Sequence, residues 1–120
     1  MVPGTRSAIA ALDQTADLVA RQTAEATEAA NRRHVALTGQ LSSLQTHQQQ
    51  GAEVLRQTKA NLELFTEQYK SGRRTLLELV GQYDATARLE RDQVSLRYEI
   101  ALVQLELARD QGLLVDGARM

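Results

Sequence analysis

The chain has 120 residues, with 14 Lys and Arg against 15 Asp and Glu, a formal net charge of −1, and neither cysteine nor tryptophan. That balance leaves no basic footprint for nucleic acid, and the missing cysteines exclude a disulfide framework and thiolate metal sites. Aromatic residues are only 3% of the chain, too few to line a substrate pocket, whereas Ala, Leu, Gln, Glu and Arg dominate, as they do in long helices. The length suits one domain or a piece of one. No apolar run approaches the ~18 residues of a membrane span, and no signal peptide is evident. If the parent protein is exported, the expectation is that this chain is a portion of it.

In chain order, Val2-Pro3-Gly4 reads as a non-helical lead-in, with Thr5 or Ser7 as N-cap of a long first helix. From about residue 5 to residue 69 no proline interrupts, and one seam repeats at steps of three and four: Ile9, Leu12, Ala16, Val19, Thr23, Ala26, Ala30, His34, Leu37, Leu41, Leu44, Gln48, Gly51, Leu55, Thr58, Leu62, Phe65, Tyr69. This is the heptad of a coiled coil, and a helix of that length would extend ~95 Å at 1.5 Å per residue. At Thr23-Ala26-Ala30-His34 the steps run three, four, four, which relaxes the left-handed supercoil. Between Ala16 and Ala30 the seam is mostly Ala and Thr, so burial there contributes little and the segment is unstable as a lone helix. Gln45 to Gly51 is the weakest stretch, polar and with a glycine costing about 1 kcal/mol against alanine. A hinge at that point would give a three-helix bundle, the alternative to one continuous first helix.

Ser71-Gly72 then stops the helix, because glycine enters the left-handed C′ conformation without steric cost. Thr75-x-x-Glu78 restarts it as a capping box: the Thr75 oxygen accepts from the Glu78 N–H while the Glu78 carboxylate reaches back to the Thr75 N–H. A tip at 70–74 is short enough to force the flanking helices side by side and antiparallel. The predicted fold is all-α, a two-helix coiled-coil hairpin with its second helix over about 75–111, ~55 Å long. That helix carries two apolar stripes. One is Leu76, Val80, Tyr83, Ala87, Val94, Tyr98, Ala101, Leu105, Ala108, and the other is Leu79, Leu89, Leu96, Ile100, Val103, Leu107. One hairpin partner covers only one stripe, so self-association is expected. Gly112 is the predicted C′ stop, with Leu113-Leu114 as the hydrophobic contact after it.

Catalytic chemistry finds little to stand on. His34 and His47 lie thirteen residues apart on one helix and cannot share a metal ion within one subunit; His34 reads as a seam residue and His47 as solvated. Ser42, Ser43 and Ser95 have no neighbouring base, and no glycine-rich phosphate cradle or paired carboxylate is present. Arg32-Arg33 and Arg73-Arg74 are too isolated for a nucleic-acid stripe. Arg88, Glu90, Arg91 and Asp92 read as a solvated, salt-bridged face. No enzymatic role, cofactor or metal is expected.

The tip, Tyr69-x-x-Gly72-x-Arg74-Thr75-x-x-Glu78-Leu79-Val80, resembles the second-repeat hairpin tip of the TolC-like outer-membrane efflux and type I secretion channels. Arg97-Tyr98, Gln104-Leu105 and Gly112-x-Leu114 resemble that family's closing helix and its Gly-x-Leu end. The resemblance covers nearly the whole chain and is most specific from Leu62 to Leu114. It implies a homotrimer in the outer membrane of a Gram-negative bacterium, with this portion in a periplasmic tunnel of packed hairpins. The implied partners are a periplasmic membrane-fusion adaptor protein and an inner-membrane ABC or proton-driven transporter; the channel is a passive conduit. Tyr69 and Arg74 match positions that help hold the entrance shut, and Gly72, Arg73, Thr75 and Leu76 match the tip where the adaptor docks. Glu78 matches an acidic position that, repeated three times, forms a cation-attracting ring at the tunnel mouth. Gly81 stands where some members carry a further acidic residue. The Glu78-Leu79-Val80-Gly81 departure and the Arg-rich turn lean the cargo toward secreted protein rather than drug. The competing expectations are a generic coiled-coil scaffold or adaptor hairpin without a transport role, and the hairpin of a periplasmic adaptor itself.

Overall fold

In the computed structural model the backbone is described for residues 3–119 and the side chains for residues 4–113. Two helices account for the fold, α1 over Pro3–Lys70 and α2 over Leu76–Arg119, with no strand among the described residues. Internal contacts divide the chain into two units, Met1–Ala36 and Leu37–Met120.

α1 is uninterrupted through Gln45–Gly51, so the three-helix alternative does not form. Its start differs from expectation. Pro3 and Gly4 are helical rather than a lead-in, and a cap at Thr5 or Ser7 is not used. Proline is well suited to a first turn, since its missing N–H would have had no partner there and its φ is already helical. Val2 lies outside the described residues. α2 also outruns its predicted end: Gly112 continues the helix, and Gly72 is the only glycine with positive φ among those described. The stop expected at Gly112 therefore fails, and the side chain of Leu114 lies outside the described residues.

In the first unit, residues 4–36, the helix is exposed nearly throughout. The expected seam residues Ile9, Leu12 and Val19 are open to solvent, and Leu12 is 69% exposed. The threonines of this stretch use their hydroxyls within the helix: Thr15 donates to the Ala11 carbonyl, Thr23 to Val19 and Thr27 to Thr23, each at 2.9 Å. Such back-bonding satisfies the hydroxyl without a partner element.

In the second unit the two helices run antiparallel. Every seam position of α1 from Leu37 to Phe65 is buried or half-buried, including Leu41, Leu44, Leu55 and Leu62. The facing row of α2 is Leu79, Gln82, Thr86, Leu89, Gln93, Leu96, Ile100, Val103, Leu107, Asp110, an unbroken alternation of three and four. Val103 is its most buried aliphatic at 5% exposure, followed by Leu79 and Ile100 at 8% each. No described side chain is fully enclosed, because each helix of a pair can shield only one side of the other. The second expected stripe of α2, from Leu76 through Tyr83, Val94, Tyr98 and Leu105, faces solvent.

Four of the ten inward positions on α2 are polar, which the apolar pattern did not reveal. They are satisfied: among the described residues no buried side-chain nitrogen or oxygen lacks a partner. Thr86 donates to the Gln82 carbonyl at 2.8 Å. Gln82 Nε2 donates to the Thr58 carbonyl and Gln93 Nε2 to the Gln48 carbonyl, both at 3.3 Å and both across the hairpin. Lys59 and Glu90 pair across it at 3.5 Å, but both are more than half exposed, so the pair contributes little.

Candidate functional site

The tip is built by two back-to-back helix terminations. α1 ends in a Schellman motif: the Arg73 N–H donates to the Gln68 carbonyl at 2.7 Å and the Gly72 N–H to the Tyr69 carbonyl at 3.0 Å. The motif requires a left-handed residue at C′, and Gly72 supplies it with φ of 76°. Ser71 adds a side-chain bond from its hydroxyl to the Gln68 carbonyl at 3.1 Å.

Thr75 is the N-cap of α2. Its Oγ1 accepts from the Glu78 N–H at 3.1 Å, and its carbonyl accepts the first helical bond, from the Leu79 N–H at 3.2 Å. The return half of the box is shared. Glu78 Oε1 accepts from the Thr75 hydroxyl at 3.2 Å, while Oε2 accepts from the Arg74 guanidinium at 2.9 Å. The carboxyl of Glu78 is held below the ordinary carboxylate range, chiefly by that Arg74 hydrogen bond, with the Thr75 hydroxyl, the Arg74 charge and the Thr75 backbone N–H adding to it.

Arg74 ties the two terminations together. Its Nε donates to Gln68 Oε1 at 2.7 Å, its Nη1 reaches Glu78, and its guanidinium lies 3.9 Å from the centre of the Phe65 ring. One side chain thus spans the last turns of α1 and the first turn of α2, combining a planar donor fork with cation–π contact. Neither Phe65 nor Gln68 stood out in the sequence as partners for Arg74. The signal was present in their spacing, since Phe65 and Gln68 are three apart and share the face that ends at the turn.

The remaining predicted residues divide by exposure. Tyr69, placed on the seam by the heptad, is exposed instead; the last seam step goes from Phe65 to Gln68, which is half-buried. Arg73, Leu76 and Leu77 are exposed at the tip, and Leu77 is its most open apolar side chain. The structure therefore groups Arg74, Thr75 and Glu78 into one network, with Gly72 setting the turn, and leaves Tyr69, Arg73 and Leu76 on the tip surface.

Away from the tip, His34 is half-buried on the α1 seam and His47 is exposed. Arg88 pairs with Asp84 one turn earlier at 3.1 Å, on an exposed face. Among the described residues no group of three His, Cys, Asp or Glu is placed to hold a metal ion, and no helix is long and apolar enough to cross a membrane. No protein-family model, no curated protein and no solved structure matches the chain.

Proposed function

We propose that this chain is a periplasmic tunnel segment of a trimeric outer-membrane export channel, of the type I protein-secretion or multidrug-efflux kind. It catalyses no reaction and serves as a passive conduit between an inner-membrane ABC or proton-driven transporter, a periplasmic adaptor and the cell exterior. The observation that carries the reading is the outward apolar stripe of α2, which includes Tyr83, Val94, Tyr98 and Leu105 on a hairpin already closed by its own seam. A ring of hairpins would cover that stripe; a solitary hairpin leaves it wet. In this reading Gly72, Arg73, Thr75 and Leu76 form the docking tip, Tyr69 and Arg74 belong to the entrance network, and three copies of Glu78 form an acidic ring.

The test is electrical. In the intact protein that contains this chain, reconstituted into planar bilayers, Tyr69→Phe with Arg74→Ser should raise single-channel conductance, and Glu78→Gln should weaken block by multivalent cations. A protein that forms no conducting trimer sinks the proposal, and unchanged conductance in the double variant removes Tyr69 and Arg74 from the gate.

One observation favours a second reading, a coiled-coil scaffold hairpin with no transport role. Arg74 and Glu78 are already committed to each other and to Gln68 and Phe65 within a single tip, so their chemistry is accounted for by holding the turn. Under that reading Arg74→Ser lowers hairpin stability and changes no conductance.

A further inference from the structure

We infer that Gln82, Gln93 and Gly51 decide which of the two apolar faces of α2 turns toward α1. The two faces are close to equivalent in apolar content. The inward row has Leu79, Leu89, Leu96, Ile100, Val103 and Leu107; the outward row has Leu76, Val80, Tyr83, Val94, Tyr98 and Leu105. Six large apolar side chains stand against six, and the outward row lies one residue after the inward one, or two at Tyr98 and Leu105, a rotation of about 100° or more about the helix axis. Because the hydrophobic effect is non-directional and scales with area, it barely discriminates between the faces.

Polar groups make the distinction. The inward row also holds Gln82, Thr86, Gln93 and Asp110, which by transfer cost alone should turn to solvent. Thr86 is satisfied within α2 by the Gln82 carbonyl, whereas Gln82 and Gln93 are retained inside because α1 offers matched acceptors at fixed places. Gln82 reaches the Thr58 carbonyl and Gln93 the Gln48 carbonyl, each at 3.3 Å, so two donors on α2 meet two main-chain acceptors on α1. Gly51 forms the socket for the second of these. A Cβ at position 51 would meet Gln93 Nε2, the free end of a flexible side chain, so the amide would have to leave its present position beside the Gln48 carbonyl. The glycine that reads as a weak point in the sequence is in the structure the opening that admits the Gln93 amide. The outward row has no comparable key. It skips from Ala87 to Val94, and the charged pair Glu90-Arg91 occupies the gap, with Glu90 joined to Lys59 at 3.5 Å. Turning that row inward would carry these charges toward the seam and abandon both amide bonds. Polar residues that select one pairing among near-equivalent apolar ones are the best-attested use of polarity in coiled coils.

The experiment uses the full chain, which lacks cysteine, so single cysteines report each face. Thr86→Cys marks the inward row and Ala101→Cys the outward row, and N-ethylmaleimide labelling rates are compared. In the otherwise native sequence Ala101→Cys should react fast and Thr86→Cys slowly. Adding Gln82→Ala with Gln93→Ala should collapse that ratio by about twenty-fivefold, two net hydrogen bonds at roughly a factor of five each. Gly51→Ala, which raises intrinsic helix propensity and keeps both glutamines, should move the ratio in the same direction by about fivefold. If circular dichroism shows that the double variant has lost its helix, the Gly51→Ala result decides alone. A labelling ratio unchanged in Gly51→Ala, or in a folded double variant, overturns the inference and leaves face choice to the aliphatic residues.

Discussion

Residues 9–30 and residues 37–65 belong to the same helix, share the same three-and-four rhythm, and differ completely in burial. In the first stretch Ile9, Leu12 and Val19 are exposed, and the threonines bond back to their own helix. In the second, each seam position from Leu37 onward is at least half-buried. Periodicity decides which side chains share a face, but not whether anything covers that face. Coverage depends on the partner element. α1 has 68 residues and α2 has 44, a difference of 24, so at least that much of α1 has no counterpart in α2. The composition shows the same division, with small side chains where the face is open and leucines where it is closed.

Truncating one apolar side chain in each region separates the two by the largest margin. Val103→Ala or Ile100→Ala should destabilise the hairpin by about 2 kcal/mol, the low end for a buried aliphatic because neither site is fully enclosed. Leu12→Ala, by contrast, should stay within about 0.5 kcal/mol of wild type, as for an exposed position. Urea unfolding monitored by circular dichroism measures both. Equal losses at Leu12 and Val103 would mean that the first stretch has a covering partner in solution.

Much of the fold was legible in the sequence, and the misses have a physical pattern. The hairpin, the α1 seam from Leu37 to Phe65 and the Gly72 turn follow from spacing and from two strong punctuation signals, while the seam positions Ile9, Leu12, Val19 and Tyr69 are exposed. The α2 seam was harder, because apolar content marks both of its rows and four inward residues are polar. Reading for greasy residues finds Leu96 and Ile100 but passes over Gln93, whose burial depends on a carbonyl and a glycine 45 and 42 positions away in the chain. Helix ends are less legible: Gly112 and Gly4 look like punctuation, yet glycine only permits a left-handed residue and does not compel one. At the tip the cap was visible, whereas the clasp of Arg74 on Phe65 and Gln68 needed the turn to be closed before the three residues met.

Damage at the tip, the other end of α1, should be felt by the closed region alone. Gly72→Ala places a Cβ at φ of 76° and should cost about 1–2 kcal/mol. Hydrogen exchange should quicken at the last turn of α1 and the first turn of α2, while rates over residues 4–36 stay as they were. Faster exchange across both regions would show them to unfold as one cooperative unit. Thr75→Ala removes the acceptor for the Glu78 N–H and should cost about 1 kcal/mol, with Thr75→Ser close to neutral. A Thr75→Ala variant as stable as wild type would mean that Arg74, not the cap, holds the start of α2.

The smallest effect is the pH dependence carried by Glu78, and its sign is fixed by the direction of the shift. In the folded hairpin the Glu78 carboxyl sits below the ordinary range, chiefly through its hydrogen bond from Arg74, whereas in the unfolded chain it returns to that range. A group depressed on folding contributes stability that is fully present above the unfolded value and is lost as pH falls through the folded one. The Tm difference between wild type and Glu78→Gln should therefore be constant near neutrality and narrow as the solution is acidified below about pH 4. Glu53, also lowered by its Arg56 hydrogen bond, is present in both proteins and cancels in the difference. Arg74→Gln provides the cross-check, since without the guanidinium the Glu78 carboxyl should titrate closer to its ordinary value in a carboxyl-resolved NMR experiment. If the Tm difference ignores pH while Arg74→Gln leaves the titration in place, the Arg74–Glu78 bond is not maintained in solution and the tip rests on Gly72 and Thr75 alone.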